Sequence, residues 1–484
     1  MKFLILADNN VGMNHYLQYR TMGPGEVSRR LNEKNITNTI IDWFNSWNKE
    51  DLQLAIQEWF KGEEQPVIAL SCWNYPSIID PLIETLEWAK SNIKNLKIIF
   101  GGTKTVDPRS NIVNIADLIF LGRSMEIFDA WLNGHSIDQY RHPVYTNIVV
   151  NKSSKIINEE PVILKLNKCS FYDVSDVVGF EISLGCRFNC SFCNFEHRGN
   201  KEPKNANAQR LIDFFNDAKD NGLEYFYSAD DTLNETDEKL EILANAISAV
   251  EFKPKITAYL RLDMISSRPS QLEILKRINP HSIFFGIESF NPEASKAIRK
   301  NSTLSRNIET LRLLREALPD TFLHGSMIVG LTGDSEDHIW ASMRTVINEQ
   351  LLDSLSYKRL GIFAPTNYPV VSDYMSDISA NPEKYGYTIT GKMEGGEYSW
   401  SNHWTDNEKS TKLSDRLNNY LDTIPVISGM SSFEYTAQCA LGVFKNRHDV
   451  KTVPYLRSRQ MSAFESKKRR RQYIKKKLKF ITEQ

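Results

Sequence analysis

The 484-residue sequence predicts an α/β chain with two parallel-sheet units in series. A doubly wound domain comes first, then a partial (β/α)6 barrel, then a mainly helical and irregular C-terminal region. Three observations carry this reading. Five short apolar runs alternate with helical segments over residues 1–135, six more alternate with helices over 179–363, and the alternation lapses between and after them. Parallel strands require such crossover connections, and a chain this long exceeds one ordinary core. The divisions read as 1–140, a hairpin-like linker at 141–175, the barrel at 176–370, and 371–484 for the remainder.

In the first domain the strand candidates are Lys2–Ala7, Thr37–Trp43, Pro66–Cys72, Leu96–Gly101 and Asp117–Gly122. Helical segments are Glu26–Lys34, Asp51–Lys61, Ile78–Ile93, a weaker Asn111–Ile115, and Met125–Leu132. Ile79, Leu82, Ile83, Leu86 and Ala89 give one of these a single apolar face. Doubly wound sheets bind ligands beyond the carboxyl ends of their strands. Asp8-Asn9-Asn10, Ser71-Cys72-Trp73 and Gly101-Gly102-Thr103 occupy those ends, although Gly101-Gly102 reads equally well as a tight turn. In the linker, Thr146–Val150 and Val162–Leu166 flank a polar stretch and predict a hairpin.

The barrel strands are expected at Gly179–Leu184, Glu224–Ser228, Lys255–Leu260, Ser282–Ile287, Phe322–Val329 and Ser356–Phe363. Helices are expected at Ala206–Asn221, Asp237–Val250, Gln271–Ile278, Leu304–Leu318 and Ser335–Leu351. Active sites of such barrels lie at the carboxyl ends of the strands. Beyond the barrel, Asn367–Pro382 reads as loop, Trp400, His403 and Trp404 as an aromatic cluster, and Leu413–Leu421 and Phe433–Phe444 as helices.

Net charge is −1, so the overall field selects neither nucleic acid nor an anionic membrane. Six cysteines in this length are too sparse for a disulfide scaffold and indicate a reducing compartment. No signal-like or membrane-spanning apolar run is present, so a cytoplasmic protein is expected. P-loop, HExxH and GxSxG motifs are absent.

Three cysteines fall on one loop after the first barrel strand: Cys186, Cys190 and Cys193, at CxxxCxxC spacing. Thiolates select soft metal centres. A structural zinc site closes with a fourth ligand, for which His197 is near in sequence. The other reading is a [4Fe–4S] cluster with one iron left open.

The spacing, Phe192 before the third cysteine, and the position after a first barrel strand resemble the radical SAM superfamily. That resemblance implies a cluster on these cysteines, with S-adenosylmethionine chelated at the open iron and cleaved reductively to a 5′-deoxyadenosyl radical. It implies an electron donor such as flavodoxin or ferredoxin. Further strand ends match in order. Asp230 or Asp231 would accept bonds from the methionine ammonium, Arg261 would face its carboxylate, Glu288 and Ser289 would meet the ribose, and Ile328 and Gly330 would lie along the adenine. Ser326, Thr332 and Asp334 depart from the family pattern there. Each residue alone reads as an ordinary turn or salt-bridge partner; their joint placement carries the resemblance.

The first domain is similar to the cobalamin-binding, flavodoxin-like domain that precedes the barrel in one class of this superfamily. Residues 117–126 resemble a glycine–acidic region of that domain with most acids replaced, and Gly101-Gly102 would lie by the corrin. The DxHxxG histidine is missing: Asp8 precedes Asn9-Asn10-Val11-Gly12-Met13, and His15 is out of register. The resemblance therefore implies a transferase that methylates an unactivated carbon with cobalamin, or a corrin-free relative running a rearrangement or oxidation. It covers roughly 1–370. The basic run at 467–479 reads as a solvated helix or frayed tail, or as a nucleic-acid contact directing the chemistry to a nucleoside. The substrate, a small molecule or nucleoside, is not legible.

Overall fold

A computed structural model of the chain describes residues 1–9, 18–72, 80–102, 106, 110–150, 160–166, 171–195, 198–200, 204–364, 375–393, 396–424 and 427–484. His197, the candidate fourth zinc ligand, and His15 lie outside these residues. In chain order the parallel strands are β1 (Lys2–Ala7), β2 (Tyr19–Arg20), β3 (Thr37–Asp42), β4 (Pro66–Ser71), β5 (Lys97–Gly101), β6 (Leu118–Leu121), β7 (Ile148–Val150), β8 (Val177–Phe180), β9 (Tyr225–Ser228), β10 (Lys255–Leu260), β11 (Ser282–Glu288), β12 (Phe322–Val329) and β13 (Ser354–Arg359). One sheet runs β3-β1-β4-β5-β6-β7, the other β13-β12-β11-β10-β9-β8-β2. The α/β class is as expected, with crossover helices between the strands.

Local chemistry sets the helix boundaries. Asn207, Thr236, Thr303 and Ser335 each accept a backbone N–H of the first turn of the helix that follows, which satisfies donors that have no partner within the helix. Those helices cover the outer barrel face, where Phe180, Phe226, Ala258, Phe285, Leu323 and Leu355 are fully buried.

Two departures from the sequence reading concern the sheets. The expected linker hairpin does not form. Instead Ile148–Val150 joins the first sheet as its sixth strand, parallel to β6, while 162–166 forms no strand. All three residues of β7 are buried, the continuous apolar pattern of a strand covered on both faces, not the alternation of an exposed hairpin. The second departure is β2, two residues too short to show periodicity. It pairs with β8 and makes a seventh strand of the barrel sheet from the N-terminal part of the chain.

The C-terminal region has two structural roles. The helix Ser432–Ala440 packs against β8 to β12 near the amino ends of the strands, where Tyr435 stacks on Phe322 at 4.1 Å and on His281 at 5.1 Å. Tyr19 donates to the Phe433 carbonyl at 2.6 Å, and Ser282 hydrogen-bonds Thr257, Thr436 and the Ser432 carbonyl. A helix buried on nearly all sides fits an enclosed position, and this one closes the barrel floor.

The basic run belongs to a 28-residue helix, Tyr455–Thr482, that is docked, which corrects the frayed-tail reading. Ser458, Ser462, Ser466, Arg470, Tyr473, Lys477 and Ile481 form its buried stripe. The Tyr473 hydroxyl accepts the Asp42 N–H at 2.9 Å and contacts its carboxylate at 3.0 Å, and Lys477 donates to Thr39 at 2.6 Å. Two of the cations expected to meet phosphate are thus turned inward. Among the described residues no helix is long and apolar enough to cross a membrane.

Burial among the floor aromatics and strand hydroxyls, with Lys255 and Lys358 nearby, holds His281 down to about 4 and His324 to about 3. Both stay neutral when folded, whereas in the unfolded chain each titrates near pH ~6.5. Unfolding therefore takes up protons below that pH. Stability fully present above it falls as pH drops towards 4, by about 2–3 kcal/mol at about pH 5.5 relative to about pH 7.5. Urea midpoints at the two pH values check this, and equal midpoints contradict it.

Candidate functional site

The cysteine loop leaves the carboxyl end of β8 and is pinned at several points. Asn200 N donates to Cys186 O at 3.1 Å, Gly199 N to Phe188 O at 3.0 Å, and Cys193 N to Cys190 O at 3.1 Å. Arg299 donates to Asn189 O at 2.9 Å, and Arg198 donates to Cys193 O. Both arginines pair with Asp377, at 2.5 and 2.9 Å. Ser376 N and Ile378 N add bonds to Asn194 and to Ser191 O. The C-terminal region thus clamps the loop, a contribution that its sequence does not announce.

Cys186 and Cys190 are buried, with 9% and 8% exposure, and Cys193 is half-buried. Burial raises the Cys186 thiol and pushes Cys193 up to about 12, and Asp231 adds to both. A cationic centre would reverse this by favouring the thiolates. Among the described residues no three His, Cys, Asp or Glu side chains converge as ligands of one ion. Zinc needs its sulfurs all about 2.3 Å from a single point. In a [4Fe–4S] cluster each cysteine meets a different iron, and three cysteines on one loop can supply that set.

Arg261, at the end of β10, donates to Cys190 Sγ at 3.1 Å and lies 4.0 Å over the Phe188 ring. Asp263 holds the guanidinium through two bonds, at 3.0 and 2.6 Å. Asn234 accepts the Arg261 N–H at 2.8 Å and fixes the backbone.

The Asp230-Asp231 pair divides. Asp230 is 1% exposed and faces inward: it accepts Ile182 N at 3.0 Å, Ser183 N at 2.7 Å and the Ser228 hydroxyl at 2.5 Å, and pairs with Lys239 at 2.8 Å. It supports the strand end. Asp231 is partly exposed and acts electrostatically on Cys186 and Cys193.

At the end of β11, Glu288 sits at φ 71° and pairs with Lys300 at 3.2 Å, whose ammonium lies 5.8 Å from the Phe192 ring. Glu288, Ser289, Ile328 and Asp334 line a small cavity with His338 and Tyr357. The Ser289 hydroxyl donates to Asp334 at 2.7 Å. Gly330, expected along an adenine, is packed by the C-terminal region. Its φ is 102°, an added Cβ would meet Trp400 at 2.4 Å, and its carbonyl accepts Tyr387 and Asn402. Gly102, at φ 94°, closes against the Cys72 backbone, the close approach of a tight turn. Thr232, Glu235, Lys239, Asp263, Lys300 and Asp377 escaped sequence reasoning, because polar and charged residues in helix starts and loops look like ordinary surface.

The two sheets turn their carboxyl ends towards each other. Arg123, after β6, pairs with Glu181, after β8, at 2.5 Å.

Residues 180–346 match the model of the radical SAM superfamily, and this part of the chain is a radical SAM domain. The chain is 27% identical over 160 residues to the anaerobic magnesium-protoporphyrin IX monomethyl ester cyclase of Synechocystis, covering 32% of this chain and 31% of that protein. It is 23% identical over 165 residues to an uncharacterized methyltransferase of Pyrococcus horikoshii, covering 34% and 35%. The match thus spans about a third of the length of these curated relatives. The fold is similar to that of the radical SAM methyltransferase TsrM from Kitasatospora setae, solved with tryptophan and a SAM analogue (TM-score 0.56, 12% identity, 81% of this chain and 79% of that one). It is also similar to OxsB, a cobalamin-dependent radical SAM enzyme solved with aqua-cobalamin and S-adenosylmethionine (TM-score 0.60, 16% identity, 87% and 67%).

Because Trp400 fills the space over Gly330, Gly330→Ala is expected to cost about 2–4 kcal/mol through strain and overpacking. A thermal melt reads this, and an unchanged Tm contradicts the Trp400 contact.

Proposed function

We propose that the chain is a cobalamin-dependent radical SAM methyltransferase acting on an unactivated carbon, with a [4Fe–4S] cluster on Cys186, Cys190 and Cys193. The observation that carries this is three spaced thiols on one clamped loop at the carboxyl end of β8, with the Arg261 cation 3.1 Å from one of them. When bound, the cluster and S-adenosylmethionine supply a 5′-deoxyadenosyl radical that removes a substrate hydrogen, and cobalamin supplies a transferable methyl group.

The chain's own residues bind, orient and exclude water. Arg261 donates to Cys190 Sγ and, with Asp263 balancing its charge, offers a fixed cation at the barrel mouth. Asp231 is the acceptor for an ammonium group. Glu288, steered by Lys300, and Ser289, held by Asp334, present oxygens to hydroxyls of a ribose, and Ile328 lies beside them as an apolar wall. The helix Ser432–Ala440 seals the floor, so a substrate enters from the opposite end, at the carboxyl ends of the barrel strands. Cobalamin would be held near Gly101-Gly102, at the carboxyl end of the first sheet. A small flavodoxin- or ferredoxin-like protein supplies electrons.

Anaerobic reconstitution tests this. About four irons and four sulfides per chain, corrin uptake, and 5′-deoxyadenosine formation from S-adenosylmethionine are expected. Cys190→Ala should lose the iron–sulfur absorption and the 5′-deoxyadenosine. Zinc uptake without iron–sulfur absorption overturns the enzyme reading, and 5′-deoxyadenosine without corrin uptake overturns its methyltransferase part.

A further inference from the structure

Beneath the cysteine loop lies a group of charges that the proposed chemistry does not use. Lys239, Asp230 and Glu235 are all fully buried. Every donor of the Lys239 ammonium is met: Asp230 at 2.8 Å, Thr232 O at 2.9 Å and Glu235 at 3.2 Å. Lys239 occupies the first turn of the helix Asp237–Ser248, capped by Thr236. A cation there opposes the helix dipole, and a buried charge is tolerated only when paired, so the lysine's position is set by the two carboxylates.

Those carboxylates act on the loop. Glu235 accepts Arg187 N at 2.9 Å, the amide next to Cys186, and the Ser183 hydroxyl at 3.2 Å. Asp230 accepts Ile182 N and Ser183 N on the other side. Thr232, between them in sequence, touches Cys186 Sγ at 3.4 Å. Cys186 is thus flanked by amides that end on one buried triad, whose formal charge is one cation and two anions, net −1. That charge is fully buried, where its field is weakly screened.

We infer that Lys239, Glu235 and Asp230 form a positioning triad that fixes Cys186 and sets the reduction potential of the metal centre the cysteines hold. This rests on the cluster assignment above. A net negative charge beside a cluster resists electron entry, and cluster potentials follow net charge and hydrogen bonding around the sulfurs. Lys239 limits that effect by cancelling one of the two carboxylates.

The test is the reduction midpoint of the reconstituted protein, read by redox titration under electron paramagnetic resonance, with iron content measured alongside. Glu235→Gln keeps an oxygen for Arg187 N but removes one negative charge, so the midpoint should move to more positive values. Asp230→Asn makes the same change of charge and should move it in the same direction. The double variant Lys239→Met/Glu235→Gln restores the net −1 and should return towards the wild-type midpoint. A loaded Glu235→Gln or Asp230→Asn protein with the wild-type midpoint overturns the inference. If neither single variant folds, a double variant that keeps its iron but departs from the wild-type midpoint overturns it too. Failure of the wild-type chain to take up iron strikes at the cluster assignment instead, so the two failures are distinguishable.

Discussion

The Arg20 guanidinium, 4% exposed, joins the two sheets. It pairs with Asp42 at the end of β3 and with Asp176, which precedes β8, and lies 4.0 Å over the Trp43 ring. Burial opposes its charge, but Asp176 and Asp42 outweigh burial and keep it firmly protonated. Removing one partner of such a buried pair costs about 3–5 kcal/mol, because the other is left as an uncompensated charge. The docked helix closes the same region through Tyr473 on Asp42. These contacts tie β2 of the barrel sheet to the carboxyl end of β3 in the first sheet.

The cysteine loop depends on that frame from three sides. Glu181, at its root, pairs with Arg123 of the first domain. The segment 375–380 clamps it through Asp377, and the Lys239 triad supports it from below. A loop carrying three thiols has no apolar core of its own, so its geometry is imposed by backbone hydrogen bonds to residues distant in sequence. Preorganisation of this kind places metal ligands before any metal arrives.

Much of the fold was legible because parallel strands covered on both faces produce unbroken Ile, Leu and Phe runs, as at residues 3–6 of β1 and Leu118–Leu121 of β6. Short edge strands were not: Tyr19–Arg20 has two residues and no period, and Ile148–Val150 was mistaken for a hairpin arm. The docked helix hid its buried stripe inside a charge run, where Lys477 and Arg470 are inward and their neighbours outward. At the site, the cysteines stood out by spacing. Asp230 and Asp231 were indistinguishable in sequence, since only the turn geometry after β9 decides which carboxylate points into the protein. Gly330 showed only that a side chain was unwelcome, and Trp400, seventy residues on, supplies the reason.

The central claim is that the three cysteines hold a cluster with one iron open to S-adenosylmethionine. The most direct measurement is the electron paramagnetic resonance spectrum of the reduced, reconstituted protein before and after S-adenosylmethionine is added. A spectrum whose g values change on addition is the expected result. A cluster spectrum that stays the same at saturating S-adenosylmethionine contradicts the claim.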